Sequence, residues 1–198
     1  MDRCEPMFRL NSPHKADMAT DMAIPLLADG GWSAMTLRSL GRAAKVSGPA
    51  VAAWYGSVER LHEVIASRYG QRWLRLMSWQ LREQQQDSLG AADLLAALLP
   101  TDDDGIAYTR VWLAIQEAGR TEPAVGAVVA HIEAGERDLV AGWLEQHVDE
   151  TMVVLRGLRA AICAPAQPLA SDEARALAHQ LGQALDRLDT TGTTDLRR

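Results

Sequence analysis

Two helix-start signals lie close together in the stretch TLRSLGRAAKVSGPAVAAWYGSVERL, residues 36–61. Thr36 precedes a short run in which Leu37, Leu40 and Ala44 share one helical face, as an N-cap hydroxyl does. Ser47 offers a second N-cap, with Pro49 in the first turn, where a missing N–H does no harm. Val51, Trp54 and Tyr55 carry the apolar spacing of this second helix. Gly56-Ser57 ends it and caps a third, whose stripe begins at Leu61. Two short helices joined by a tight turn suggest a helix-turn-helix, whose second helix enters the DNA major groove. On spacing alone, a helical hairpin that binds nothing is the commoner reading.

The rest of the chain is expected to be helical too. Alanine and leucine abound and β-branched alternation is almost absent, which argues for an all-α fold. No apolar run approaches the ~18 residues of a membrane span. The first residues, MDRCEPMFRLNSPHK, lack an apolar signal core, so export is not expected and a cytoplasmic protein is. Cys4 and Cys163 are too few and too far apart for a disulfide framework or a metal-ligand pair. The net charge is −6, unevenly spread. Residues 1–70 hold eight basic and seven acidic residues, whereas the remainder holds twelve and nineteen. The first third is therefore the part least unfavourable to phosphate, although its basic surplus is a weak footprint.

In chain order, residues 1–13 read as an arm, a disordered terminus being favoured over a basic arm with Arg3 and Arg9. The first helix is expected over about 14–29, with Pro25 inside it, Gly30-Gly31 as its C-cap and Trp32 plugging a small core. The helix from Ser57 extends to about Gln85, with its arginines solvated or paired. Gln84 to Asp87 reads as a hinge, and Ser88 to Leu99 as a short helix ended by Pro100. Asp102-Asp103-Asp104 favours the positive end of the next helix over a metal site. That helix runs to about Gly119. Pro123 starts a long one that carries its apolar pattern through Val148. Met152, Leu155, Leu158 and Ile162 make another, and Ser171 opens the last. In it Ala174, Leu177, Leu181, Leu185 and Leu188 repeat at helical spacing, a narrow seam suited to helix-on-helix packing. A frayed polar tail follows from Thr190.

Enzymatic signatures are missing. There is no glycine-rich phosphate loop, no His-Glu-x-x-His and no nucleophile elbow. The five histidines are scattered without ligand spacing, so neither a metal nor a cofactor is expected. The carboxylates mostly read as helix surface. Six tryptophans against one phenylalanine are unusual. Trp73, Met77, Trp79, Trp112 and Trp143 are candidates for lining an apolar cavity, with Tyr108, Gln116 or His131 as polar contacts, and core packing explains them equally well.

The stretch from about Lys15 to Leu61 resembles the N-terminal domain of the TetR family of transcriptional regulators. The matching pieces are the amphipathic helix ending at Asp29-Gly30-Gly31, the aromatic Trp32, Thr36-Leu37-Arg38-Ser39-Leu40 and Ala43-Ala44. Val46-Ser47, Pro49-Ala50, Trp54-Tyr55, Gly56-Ser57, Glu59 and Leu61 complete them. The resemblance implies an all-α protein with a DNA-binding head at 1–60 and a ligand-binding and dimerisation body at 61–198. It implies a homodimer, no enzymatic activity, and a repressor released from a double-stranded operator by a small-molecule effector. The last two helices would pair with their mates in a four-helix bundle, using Leu155, Leu158, Ile162, Leu177, Leu181, Leu185 and Leu188. Two recognition helices would then meet successive major grooves about 34–36 Å apart. Arg38, Arg42, Lys45 and the helix starts at Thr36 and Ser47 would touch phosphate. Ser47, Ala50, Ala53, Trp54 and Tyr55 would be the base-facing candidates of the recognition helix, with Gly48, bare of a side chain, and Pro49 also in the DNA-binding set.

Some positions depart from the family pattern. Ala52 and Ala53 stand where a tyrosine and often a basic residue are usual, Trp54 where histidine is frequent, and Val58 where a phosphate-binding lysine is usual. Each lost phosphate contact removes part of the salt-dependent affinity. The alternative is thus a TetR-like helical module with weak or lost DNA binding, acting by ligand or protein binding.

Overall fold

The computed structural model describes residues 13–84, 89–144 and 146–192. Over these the chain is helical, with no strand, as the composition implies. The helices are α1 (Pro13–Gly30), α2 (Leu37–Ala43), α3 (Gly48–Tyr55), α4 (Val58–Arg82) and α5 (Ala91–Leu98). They continue with α6 (Asp103–Ala118), α7 (Pro123–Ala141), α8 (Val148–Ile162) and α9 (Ser171–Gly192). A single 3₁₀ turn, Trp32–Ala34, joins α1 to α2. The expected arm at 1–13, the hinge at 84–87, the helix start at Ser88 and the tail from Thr190 fall wholly or mostly outside the described residues. No described helix is long and apolar enough to cross a membrane.

The start signals act as expected. Thr36 Oγ1 accepts from Ser39 N at 3.0 Å while Ser39 Oγ accepts from Thr36 N at 2.9 Å, a reciprocal capping box on α2. Ser47 Oγ accepts from Ala50 N at 3.3 Å on α3, and Ser57 Oγ accepts from Arg60 N at 3.1 Å on α4. Asp102 Oδ1 accepts from Gly105 N at 2.7 Å, so one aspartate of the triplet caps α6.

One element boundary differs from expectation. The helix opened by Pro123 does not reach Val148: α7 stops at Ala141 and α8 begins afresh at Val148. Trp143 N and Leu144 N both fold back on Val140 O, and His147 takes a left-handed backbone, φ 57°. Leu89 N donates to Trp143 O at 3.1 Å, which ties the break to the segment before α5. Apolar spacing continues through the turn because Leu144 is buried as well, so periodicity alone could not reveal it.

The chain forms two compact units. One contains residues up to 71 together with 114–129; the other contains 72–113 and 130 onward. The expected division at residue 60 lacks the contribution of 114–129 to the first unit. Its core holds Ala23, Leu27, Met35, Leu40, Val51, Tyr55, Leu61 and Ile65. Gly41 allows the α2–α3 turn to close: a Cβ there would lie 2.9 Å from Val46 O and 3.1 Å from Gly48 N. In the second unit α9 packs on α5 and α8. Ala174, Ala178 and Gly182 form its buried face, and a Cβ on Gly182 would overlap the Ala92 backbone.

Candidate nucleic-acid interface

The geometry of α2 and α3 separates the sequence candidates into a presented set and a buried one. On α3, Val51 and Tyr55 lie four residues apart and both face the core. Tyr55 is 2% exposed, and burial pushes its phenol up to about 12. It is a core residue, which corrects its assignment to the base-facing set. An aromatic near a helix end reads the same way in sequence whether it plugs a core or faces outward.

The opposite face of α3 is presented. Ser47, Pro49 and Ala53 are exposed, and Gly48, Ala50 and Trp54 are partly so. This ridge carries little side-chain chemistry, and the Ser47 hydroxyl is already engaged as the α3 cap. The Thr36 hydroxyl is likewise occupied in its capping box. Phosphate contacts at these two starts would therefore fall to backbone N–H groups rather than to the hydroxyls.

Cations supply what the ridge lacks. Arg38, Arg42 and Lys45 are all exposed, and none forms an ion pair with a described residue. Arg38 and Arg42 sit four apart on α2, so they share a face. Lys45 occupies the turn itself with φ 56°, a left-handed conformation that glycine favours. Near the start of α4, Arg60 is engaged with Glu63 at 2.7 Å, and Val58 is exposed and uncharged. Glu59 is also exposed. Its own backbone N–H and the Ser57 hydroxyl hold its carboxyl below the ordinary value. A carboxylate beside the ridge offsets part of the positive field.

Sequence reasoning missed a polar cluster in this unit. Trp32 does not plug the core between the short helices; its Nε1 donates to Glu122 Oε1 at 2.7 Å. His62, 8% exposed, brings Nδ1 to 2.8 Å from Glu122 Oε2 and Nε2 to 3.3 Å from Met35 O. Nothing local in the sequence links residues so far apart.

In the second unit three of the cavity candidates stack. Trp73 lies parallel to Tyr108 at 6.1 Å and to Trp112 at 5.9 Å between ring centroids. Met77 is buried one turn further along α4. Trp79 and His131 are exposed and Trp143 is half-buried in the turn after α7, so these three do not join the stack. Gln116 belongs to the other compact unit.

Two charged residues do join it, and Glu136 is an exception to the expectation that most carboxylates lie on helix surfaces. Glu136 and Arg159 are 1% and 3% exposed and pair at 3.2 Å. Trp73 Nε1 donates to the same Glu136 oxygen at 2.6 Å. Arg159 Nη2 donates to Leu98 O at 3.2 Å, and its guanidinium lies 4.6 Å over the Trp73 ring. Burial lowers the arginine's affinity for its proton, and Glu136 opposes that effect. Glu136 lies within the charged run Glu133 to Asp138, which reads as surface. An open groove of about 450 Å³ also lies between α4 and α7, floored by Leu74, Gly135 and Leu139 and edged by Arg75, Arg82 and Asp138.

The expected dimer set divides. Leu155, Leu158 and Ile162 are buried within the chain, which corrects their assignment to a partner surface. They pack inward because α8 turns that face toward α5 and α9. Leu177, Leu181 and Leu188 are exposed by 40%, 42% and 59%, and Leu185 is partly exposed. On α8 it is Val153, 70% exposed, that faces outward.

No family model matches the sequence, and no curated relative matches it. Solved structures match the fold. A protein from Pseudomonas aeruginosa PAO1 assigned as a transcriptional regulator is 17% identical with a TM-score of 0.66, over 92% of this chain and 95% of that one. A protein from Rhodococcus sp. assigned to the TetR family is 14% identical with a TM-score of 0.69, over 86% and 98%. The multidrug binding protein EbrR, in complex with imidazole, is 16% identical with a TM-score of 0.61, over 85% and 95%. The chain thus has the all-helical fold of TetR-family regulators.

Proposed function

We propose that this chain is a DNA-binding transcriptional regulator of the TetR type, a repressor that a small molecule releases from its operator. The carrying observation is the presented ridge Ser47–Ala53 flanked by three cations, Arg38, Arg42 and Lys45, without ion-pair partners among the described residues. Cations supply affinity through counterion release, while the small ridge admits close backbone approach and apolar contact with thymine methyls. Recognition of this kind depends strongly on salt. It leans on shape more than on base-edge hydrogen bonds.

Dimerisation would bring two such ridges onto one operator. The exposed leucines of α9 support it, since an apolar stripe along a helix is stabilised by a second copy. The effector would bind in the second unit, beside the buried aromatic stack that meets the Glu136–Arg159 pair. EbrR, similar in fold, was solved with a small molecule bound. Release requires that the effector bind the two states with different affinity. The reading entails no enzymatic step, no cofactor, and a place in the cytoplasm beside the DNA.

Mobility shift with fragments of the source genome, at low and at physiological salt, is the test. We expect one or a few fragments to be retained in a salt-dependent manner. Retention of none at low salt would leave the second reading, a helical module that has lost DNA binding, which the bare Ala52–Ala53 ridge and the uncharged Val58 favour.

A further inference from the structure

The α6–α7 turn belongs to the same compact unit as the helix-turn-helix, and one carboxylate in it grips two distant segments. Glu122 Oε1 accepts from Trp32 Nε1 at 2.7 Å, and Oε2 lies 2.8 Å from His62 Nδ1. The other ring nitrogen of His62 is 3.3 Å from the carbonyl oxygen of Met35, the residue just ahead of the Thr36 cap. The Trp32 and His62 rings meet edge to face, 4.7 Å between centroids. The lead-in to α2, the second turn of α4 and the α6–α7 turn therefore converge on Glu122.

The backbone that carries this carboxylate is fixed. Glu122 N donates to Ala118 O at 2.9 Å, and Glu122 O accepts from Gly126 N at 2.8 Å, so the residue closes α6 and opens α7. A Cβ on Gly126 would lie 2.6 Å from Gly119 O, so the two helix ends meet backbone to backbone. A flexible loop would absorb a displacement. A turn packed this closely would pass a displacement on to the carboxylate. The grip is also partly shielded from water: the His62 and Glu122 side chains are 10% and 31% exposed. Hydrogen bonds to a charged group in such a setting are stronger than exposed ones.

We infer that Glu122 is a regulatory clasp. While it holds Trp32 and His62, it fixes the lead-in to α2 against α4 and so orients α3. A shift of the α6–α7 turn that breaks the grip leaves the head folded but loose, and DNA affinity falls. This inference rests on the reading of α3 as a DNA-binding helix.

The test uses the full chain carrying Glu122→Ala, Glu122→Gln or Trp32→Phe. Gln retains an oxygen for the tryptophan and removes the negative charge beside the histidine; Phe removes the indole N–H donor together with the five-membered ring and leaves a six-membered aromatic ring in place. Amide hydrogen exchange of the free protein reads the clasp, and mobility shift with a fragment retained by the wild-type chain reads its consequence. In E122A we expect exchange across 36–55 to rise about tenfold, the scale of one charge-assisted hydrogen bond, with 91–98 and 171–188 unchanged. Fragment affinity should fall about tenfold in parallel, with E122Q and W32F lying between. Unchanged exchange at 36–55, or a uniform rise across the chain, overturns the clasp, as does looser exchange with undiminished affinity. Since exchange is measured without DNA, it judges the clasp even if the wild-type chain retains no fragment. That last result would sink the regulator reading alone.

Discussion

Asp186 caps a helix to which it does not belong. Its Oδ1 accepts the Ala91 N–H at the start of α5, at 2.9 Å, where Gly90 has no side chain to serve. An unsatisfied first-turn N–H is thereby paired from α9, and the carboxylate sits at the positive end of α5. Asp186→Ala should lower unfolding stability by about 1 kcal/mol, with Asp186→Asn losing less. Urea denaturation of both variants against wild type checks the order. Equal loss in both would show that charge, not acceptance of the hydrogen bond, is what matters.

Lys45 combines a left-handed backbone with a proposed phosphate contact, and one substitution reads both. Its left-handed backbone disfavours any side chain, so Lys45→Gly should stabilise the chain by about 1 kcal/mol. The same change removes a cation from the proposed interface. The slope of log affinity against log salt should fall by about one if the ammonium contacts a phosphate. Higher thermal stability combined with an unchanged slope would remove Lys45 from the DNA contacts.

Tyr55 makes stability sensitive to alkali. Its phenol loses a proton near 10.0 in the unfolded chain and at about 12 in the folded one. Above pH 10 the unfolded state therefore releases a proton that the folded state keeps. The contribution is fully present below that pH and is lost as pH rises toward 12. Tyr55→Phe should flatten this part of the pH–stability curve, measured by denaturant midpoints at successive alkaline pH values.

Breaking the Glu136–Arg159 pair should be far worse than removing it whole. Glu136→Gln leaves a guanidinium 3% exposed without its carboxylate and should cost about 3–5 kcal/mol. Replacing both residues, Glu136→Gln with Arg159→Met, should recover most of that loss. A double-mutant cycle from thermal unfolding reads the difference. Strict additivity of the two single losses would mean that the pair is not coupled.

For self-association, Leu181→Glu places a charge in the middle of the exposed stripe on α9. We expect sedimentation equilibrium to show a dimer for wild type and a monomer for the variant, with helical content unchanged. Leu158→Glu, on the buried face of α8, should instead reduce folding itself. A variant L181E that still sediments as the wild type does would move the interface elsewhere.

Local signals were the legible part of this molecule. Thr36, Ser47 and Ser57 announce helix starts because a cap is a contact across three residues, and all three hydroxyls act that way. Apolar spacing gave the helices but could not say which way a stripe points. Leu155 and Leu181 carry the same pattern, yet one is buried and the other exposed, because only neighbouring helices decide the face. Glu136 and Glu122 escaped for a related reason. A carboxylate in a charged run, like Glu136, or in a turn, like Glu122, is distinguished from solvated surface only by partners as distant as Arg159 and Trp32.

The absent side chain at Gly182 has a reach well past its own neighbourhood. Because α9 rests directly on the Ala92 backbone, the two rods have no cushion of rotamers between them, and even one methyl would pry them apart. The leucine ridge on the outer flank of α9 is then displayed at an angle dictated by main-chain contact. Any twin that docks there would inherit that angle, so one hydrogen in place of a carbon would help set the span of the proposed pair.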